Sequence, residues 1–332
     1  MKPVIFGLAG ESLSADERAL FRAAQPAGYI LFRRNIADRD QLRRLTDDLR
    51  AIDGRADVPI LIDQEGGRVA RMQPPVWPAF PAQGRFDALY EVAPISAIEA
   101  ARANAHAIAL TLAECGINVD ALPLLDVRRP EGSDIIGDRS LGAEPIRVST
   151  LGRAVIDGLR RGGVVGIVKH MPGHGRAVVD SHLALPVVAA PAADLETDLE
   201  PFIRLKNAPM GMTAHVVYTA WDADRCATLS PVVIGEIIRG RIGFDGFLMS
   251  DDIDMKALSG TPAEKAVAAG CDAALDCWGR MAEMKAIADA LPDMTEASRA
   301  RLDRAMATIA GAAVIGNIAE LTAKRDALLS YA

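Results

Sequence analysis

Short apolar runs alternate along the chain with longer stretches in which apolar residues recur every three or four positions. Continuous apolar runs are typical of buried parallel strands, and the wider period is typical of helices that cover them. The alternation therefore predicts repeated βα units. The chain contains eight such runs, at residues 4–9, 28–32, 59–63, 117–127, 164–170, 210–217, 246–250 and 272–277.

The stretches between these runs carry helix signals. Ser230 is placed to cap a helix whose first position is Pro231, where a missing N–H costs nothing. No long linker or short repeat interrupts the order. The sequence thus predicts one α/β domain over residues 1–332, a single (β/α)8 TIM-type barrel at about 4–290 with a helical C-terminal tail at 291–332. Helical periodicity covers residues 38–52, 96–115, 144–161, 193–207, 230–239, 262–269 and much of 281–332.

Composition and charge narrow the class of protein. With 332 residues, 50% hydrophobic and 24% charged, the chain resembles a soluble globular protein with a large core. Its four cysteines are widely spread, which indicates reduced, mostly buried thiols. We find no secretory signal and no apolar run of about 18 residues, so we expect a cytoplasmic protein that does not bind membranes. The net charge of −7 disfavours nucleic acid as a partner. We expect a monomer that acts on a small ligand without a cofactor.

Polar side chains stand where the apolar runs end. Because the carboxyl ends of barrel strands meet at one face, and catalytic groups lie there, these residues are predicted to converge. They are Asp63, Arg139, Lys169, His170, His215 and Asp251, which end, follow or lie in the third to seventh runs.

The densest chemistry lies at residues 169–182, where fourteen residues contain three of the five histidines. Cleavage of a glycoside needs a nucleophile or base on one side of the anomeric carbon and a proton donor on the other. Asp251 is a natural carboxylate nucleophile, although the neighbouring Asp252 is not excluded by the residues alone. His182 is a candidate proton donor and acceptor, which Asp180 could orient and stabilise.

Each of these residues also has a structural alternative. Asp251 could cap the helix that follows its strand. His174 could shape its loop or contact substrate, and His215 could face substrate or be buried and hydrogen-bonded. A metal is a further alternative, because His170, His174, His182 and Asp180 have suitable atoms for zinc or iron. A proline and a glycine interrupt the spacing of these histidines, so no helical pair of ligands forms, and we predict no metal.

Several segments resemble the family 3 glycoside hydrolases, and in particular the single-domain bacterial β-N-acetylhexosaminidases. The resemblance is carried by residues 63–71, 169–175, 180–182 and 250–252, with further matches at 137–142, 212–218 and 227–231. It covers roughly residues 4 to 290. By this resemblance Asp251 is the nucleophile and His182, partnered by Asp180, is the acid/base residue. The residues implied to bind a terminal N-acetylglucosamine are Asp63, Arg71, Arg139, Lys169 and His170.

The resemblance implies a retaining exo-β-N-acetylglucosaminidase that forms a covalent glycosyl-enzyme on Asp251. In related cytosolic enzymes the substrate is a muropeptide, N-acetylglucosamine linked to anhydro-N-acetylmuramic acid with or without peptide, released during peptidoglycan recycling. Two alternatives stay open. A histidine acid/base does not repel phosphate, so the enzyme could be a β-N-acetylglucosaminide phosphorylase. The barrel could also be a non-catalytic protein that binds sugar or metal.

Overall fold

A computed structural model describes residues 1–179, 185–255, 258, 260–311 and 314–331. Eight parallel strands close into a barrel in which each strand pairs with its neighbours in the sequence and β8 pairs with β1. The strands are β1 Lys2–Gly7, β2 Pro26–Leu31, β3 Ile60–Ile62, β4 Val119–Asp120, β5 Val165–Met171, β6 Met210–Thr213, β7 Phe247–Asp252 and β8 Ala273–Asp276. The predicted TIM-type barrel is confirmed.

Every predicted apolar run overlaps one barrel strand, but the fourth and sixth runs depart from this strand over much of their length. In the fourth run β4 is just two residues long, and the remainder is loop. The sixth run splits, because β6 ends at Thr213 while Val217–Tyr218 pairs elsewhere. It joins Val187–Val188 and Asp222–Cys226 in a separate three-stranded sheet.

Helices surround the barrel. The oxygen of Ser230 accepts a hydrogen bond from Val233 N at 3.1 Å, as the predicted cap requires, although the helix that follows is of the π type. The helices are α1 Ala15–Ala24, α2 Arg39–Asp53, α3 Gly84–Val92, α4 Pro94–Glu114, α5 Pro145–Arg161, α6 Ala192–Arg204, the π-helix Val233–Ile242, α7 Pro262–Ala269, α8 Met281–Ala290, α9 Glu296–Ala307 and α10 Ile318–Leu329.

The helical tail covers the amino-terminal mouth of the barrel. Leu302, Ala305 and Met306 of α9 belong to the same buried cluster as inward-facing strand residues such as Val119 and Phe247. Fully burying such a side chain contributes about 1.5–3 kcal/mol to stability. The opposite mouth, at the carboxyl ends of the strands, is left for the polar residues.

The last helix, α10, packs along α4. Arg325 of α10 donates a hydrogen bond to Asn104 Oδ1 of α4 at 3.1 Å.

All four cysteines are buried and unbridged, as the sequence predicts. Among the described residues, none of the helices has the length and apolar character to cross a membrane.

Candidate active site

A cavity of about 280 Å³ opens at the carboxyl ends of the barrel strands. Strand β3 ends directly before Asp63, β5 carries the Lys169–His170 pair, and β7 carries Asp251. Because the parallel strands of the closed barrel all end at this mouth, side chains far apart in sequence meet here. Eight of the residues singled out from the sequence line the cavity: Asp63, Arg71, Arg139, Lys169, His170, His174, Asp251 and Asp252.

Side chains of alternating charge contact one another on one side of this cavity. We call them the charged cluster: Arg71, Asp63, Lys169, Glu65 and Arg139. Lys169 Nζ lies 2.6 Å from Glu65 Oε1 and 3.3 Å from Asp63 Oδ1. Asp63 Oδ2 accepts a hydrogen bond from Arg71 at 2.9 Å, and Arg139 donates two bonds of 2.8 Å to the Glu65 carboxylate. The paired geometry of Arg139 and Glu65 fixes direction as well as distance. Lys169 and Glu65 are almost wholly buried, so neither charge is compensated by water.

The side chains of the charged cluster hold one another in their ionised forms. Burial by itself would raise the pKa of Asp63 and of Glu65. The ammonium of Lys169, with Arg71 beside Asp63 and Arg139 beside Glu65, outweighs burial and holds both pKa values below the usual range. Burial would in turn lower the pKa of Lys169, but the two carboxylates raise it. The cavity therefore presents fixed carboxylates and cations to a ligand.

Asp126 holds His170, near the end of β5, and His174, in the loop that follows it. His170 Nδ1 lies 2.7 Å from Asp126 Oδ2, and the other carboxylate oxygen accepts the backbone N–H groups of His170 and His174, at 3.1 and 2.7 Å. Burial opposes ionisation of Asp126, yet His170 and these bonds lower its pKa to about 2. Burial and the neighbouring His170 lower the pKa of His174 to about 4, so this imidazole is neutral at neutral pH.

Asp251 stands at the end of β7 with 21% of its side chain exposed to the cavity. Its Oδ1 accepts the backbone N–H of Asp252 at 2.8 Å, and its Oδ2 lies 4.0 Å from His170 Nε2. Burial opposes ionisation, but the imidazoles of His170 and His215 hold the pKa of Asp251 below its usual range. Helix α7 begins only at Pro262, so the helix-capping alternative is not supported.

The neighbouring Asp252 has a different environment. Burial, with repulsion from Asp251, raises the pKa of Asp252 to about 6. Its Oδ1 accepts backbone N–H groups from Asp254 at 3.2 Å and from Cys277 at 3.4 Å, so it is engaged in holding the loop. Asp254 itself pairs with Arg280. Of the two candidates, Asp251 has the lowered pKa and turns its Oδ2 towards His170, whereas backbone N–H groups occupy Asp252 Oδ1.

His215 is not among the residues that line the cavity. Its ring is buried, with Nδ1 2.7 Å from Thr228 Oγ1 and Nε2 2.8 Å from the backbone oxygen of Asp252. Of the two alternatives for His215, the structure shows the one in which the side chain is buried and hydrogen-bonded. Its contact with the Asp252 backbone supports the strand end that carries Asp251.

The model of the glycosyl hydrolase family 3 N-terminal domain matches residues 6–312. The chain belongs to glycosyl hydrolase family 3. A β-hexosaminidase of Alkalilimnicola ehrlichii is 38% identical over 91% of this chain and 88% of its own. NagZ from Neisseria gonorrhoeae, in complex with N-trifluoroacetyl-D-glucosamine, superposes with a TM-score of 0.89 at 31% identity, over 99% of this chain and 97% of that chain. A family 3 β-N-acetylglucosaminidase from Paenibacillus gives a TM-score of 0.86 at 33% identity, over 98% and 66% of the two chains.

These relatives place the chain in the β-N-acetylhexosaminidase group of family 3, as the motifs predicted. The predicted dyad residues Asp180 and His182 lie outside the described residues. Within the part of the chain that the structure describes, no group of three histidine, cysteine or acidic side chains is arranged to hold a metal ion. The zinc alternative drew on Asp180 and His182 as well.

Three residues of the family 3 site were not singled out from the sequence. Glu65 bonds both Lys169 and Arg139, Asp126 positions His170, and Phe32 lines the cavity. A usable signal existed, because all three come at or shortly after the end of an apolar run, as Asp63 does. Their roles depend on partners from other strands, which a single run does not reveal.

Proposed function

We propose that this protein is a retaining exo-β-N-acetylglucosaminidase that removes terminal β-linked N-acetylglucosamine. The observation that carries the proposal is the placement of Asp251, with its lowered pKa, in the same cavity as the charged cluster around Lys169. Retention requires a carboxylate nucleophile at the anomeric carbon, and sugar binding requires fixed partners for hydroxyl groups. Both are present within one cavity.

The cavity has the size and chemistry for one sugar. Its volume of about 280 Å³ lies just below the usual range of ligand pockets, about 300–1,000 Å³, as suits a ligand no larger than one sugar. The ionised Asp63 can accept hydrogen bonds from adjacent hydroxyl groups, while Lys169, Arg71, Arg139 and His170 donate. The N-trifluoroacetyl-D-glucosamine bound by the gonococcal NagZ supports an N-acylated glucosamine as the ligand.

The reaction has two steps. In the first, an Asp251 oxygen attacks the anomeric carbon, the bond from that carbon to the leaving oxygen breaks, and His182 gives its proton to the leaving oxygen. In the second, His182 takes a proton from water, the water oxygen attacks the same carbon, and the ester to Asp251 breaks. Two inversions give net retention.

We assign the proton transfers to His182, oriented by Asp180, on the basis of the family motif. The described histidines of the cavity support this choice indirectly. His174 has its pKa lowered to about 4, so at neutral pH it is not in the imidazolium form that could protonate a leaving group. His170 binds Asp126 through Nδ1 and contacts Asp251 through its other edge, which suits positioning of the nucleophile.

We further propose that the natural substrate is a muropeptide handled in the cytoplasm during peptidoglycan recycling, and that the protein acts as a monomer. Residues 1–332 would form one domain, with the barrel at about 4–290 and the tail at 291–332. The packing of α9 under the barrel and of α10 against α4 supports a single unit.

The test uses a chromogenic β-N-acetylglucosaminide with Asp251→Asn and, as a matched control, Asp254→Asn, an exposed acid of the same loop. Asp251→Asn should lose turnover while Asp254→Asn keeps it. Incubation with 5-fluoro-N-acetylglucosaminyl fluoride, followed by digestion and mass spectrometry, should find the sugar on Asp251. Equal turnover by the two variants, or a sugar ester on another residue, would overturn the assignment.

The substrate and the alternatives are resolved by product analysis. Purified muropeptides and N,N′-diacetylchitobiose are compared by mass spectrometry, with and without phosphate. Faster cleavage of muropeptides to free N-acetylglucosamine supports the recycling role. A phosphate-dependent rate with sugar 1-phosphate as product would identify a phosphorylase, and tight sugar binding without turnover would identify a binding protein.

A further inference from the structure

An exposed tryptophan stands beside the cavity. Of the three tryptophans, Trp77 is buried and Trp221 is partly covered, whereas 52% of Trp278 is exposed. Trp278 directly follows Cys277, which lines the cavity after β8. Single exposed apolar side chains are common on protein surfaces. The position of this large ring at the mouth of a sugar-sized cavity, and its contacts, distinguish it from those.

Trp278 belongs to a row in which guanidinium groups and aromatic rings lie near one another, which we call the aromatic ladder: Arg71, Phe32, Arg34, Trp278 and Arg280. The Arg71 guanidinium lies 5.2 Å from the centre of the Phe32 ring. That of Arg34 lies 5.0 Å from Phe32 and 5.8 Å from Trp278, and that of Arg280 lies 5.7 Å from Trp278. Phe32 and Arg71 line the cavity, so the ladder leads from the cavity to its rim.

Other contacts hold the ladder in place. Arg34 donates from Nε to Leu8 O at 2.7 Å and from its terminal nitrogen to the Cys277 carbonyl. Arg280 pairs with Glu283 at 2.6 Å. Gly279, next to the indole, has a φ of +68°, and a Cβ there would lie 2.4 Å from the Leu8 carbonyl carbon. Trp278 is therefore a preorganised surface, which reduces the entropy lost on binding.

We propose that Trp278 is the platform on which the sugar of the leaving group stacks when a disaccharide or longer glycan is bound. This inference rests on the proposed exo-glycosidase function. The cavity holds one sugar, so the next sugar must lie at its mouth, where the indole is. The CH-rich face of a pyranose is apolar and flat enough to cover the accessible part of the ring, and aromatic side chains favour such contacts.

The test compares two substrates that share the cleaved sugar. N-acetyl-β-glucosaminyl fluoride has a leaving group too small to reach Trp278, whereas N,N′-diacetylchitobiose places a second sugar there. In Trp278→Ala we expect kcat/KM to fall roughly three- to tenfold on chitobiose and to stay at the wild-type value on the fluoride. Trp278→Phe, which keeps a ring, should recover part of the loss. Tyr331→Ala, an exposed aromatic of the tail, should match the wild type on both substrates.

Activity on the fluoride also reports that the variant is folded. Equal losses on both substrates, or no loss on chitobiose, would overturn the platform while leaving the hydrolase assignment intact. A wild-type protein that cleaves neither substrate would overturn the proposed function and the platform together. Binding gives a second readout: in Asp251→Asn, adding Trp278→Ala should weaken the affinity for chitobiose and leave that for N-acetylglucosamine unchanged.

Discussion

His170 Nδ1 lies 2.7 Å from Asp126 Oδ2, and this bond turns the other ring nitrogen towards the Asp251 carboxylate, 4.0 Å away. Because an ionised carboxylate only accepts, Nδ1 must carry a proton. Asp126 thus keeps a proton on Nδ1 and fixes the orientation of the ring. A residue that does not line the cavity therefore determines which group faces Asp251.

We expect Asp126→Asn to lower kcat/KM on a chromogenic β-N-acetylglucosaminide. A hydrogen bond to a charged group is worth about 1.5–3 kcal/mol, which corresponds to roughly ten- to a hundredfold in rate if it is lost at the transition state. The control is Asp272→Asn, which changes a buried carboxylate paired with Arg239 and Arg301 near the opposite mouth. It should lower stability but leave kcat/KM of the folded protein near the wild-type value. Wild-type kinetics for Asp126→Asn would contradict this role.

Lys169→Met should destabilise the protein strongly at pH 7. The substitution leaves Asp63 and Glu65 buried without the cation that lies between them, and breaking a buried pair in this way costs about 3–5 kcal/mol. Chemical denaturation measures the change. Lys285→Met, which removes an exposed helical pair with Asp289, should cost at most about 0.5 kcal/mol.

The same experiment has a pH signature. Removal of Lys169 raises the pKa values of both carboxylates in the folded protein, although Arg71 and Arg139 remain beside them, so the folded variant loses less stability than wild type when these carboxylates take up protons. The free energy of unfolding of Lys169→Met should therefore increase, relative to wild type, as the pH is lowered from 7 to 5. A loss that is the same at both pH values would contradict the charge explanation and indicate a packing defect.

Much of the barrel could be predicted because each strand is buried on both sides and so appears as an unbroken apolar run. The helices predicted from the sequence do not include α1, although Ser14 and Glu17 form a reciprocal capping box, which is a sequence signal for the start of a helix. The small sheet at Val217–Tyr218 could not be predicted, because its partners Val187–Val188 and Asp222–Cys226 are brought together only by the closed barrel.

The site was predictable to the extent that strand ends converge. The position of Asp63, Lys169 and Asp251 at strand ends is a local property, and the barrel brings them together. What a side chain faces is not local. His174 lines the cavity while His215 turns into the protein, and nothing in the spacing of either distinguishes them. Glu65 likewise gains its importance from Lys169 and Arg139, which come from other segments of the chain.

The contribution of Asp120 to stability should fall as the pH rises, whereas that of most carboxylates increases. Asp120 is fully buried beneath the charged cluster, and burial raises its pKa to about 8. One carboxylate oxygen accepts Gln64 N at 2.9 Å, and the other has no partner among the described residues. Because the folded pKa lies above the unfolded one, near 3.8, folding takes up a proton between these values. Its stabilising contribution is complete below about pH 4 and is lost as the pH rises to about 8.

Asp120→Asn removes this proton uptake while keeping the size of the side chain. Denaturation at pH 5, 6, 7 and 8 should show the variant gaining stability relative to wild type at each step. Asp53→Asn, which changes a buried carboxylate paired with Arg55 on the outside of the barrel, is the control and should show no such gain. A constant difference between Asp120→Asn and wild type across the series would mean that Asp120 is ionised in the folded protein.

The pH dependence of the rate tests His182. A carboxylate with a lowered pKa, such as Asp251, is ionised throughout the working range, so the upper limb of a bell-shaped profile should report the acid that protonates the leaving group. His182→Ala should remove that limb and lower kcat on chitobiose by about a hundred- to ten thousandfold. The loss should be smaller on an aryl glycoside, whose leaving group needs less protonation. Asp252→Asn, which removes a group with a pKa of about 6, should leave the upper limb in place. If the upper limb survives in His182→Ala, another residue supplies the proton.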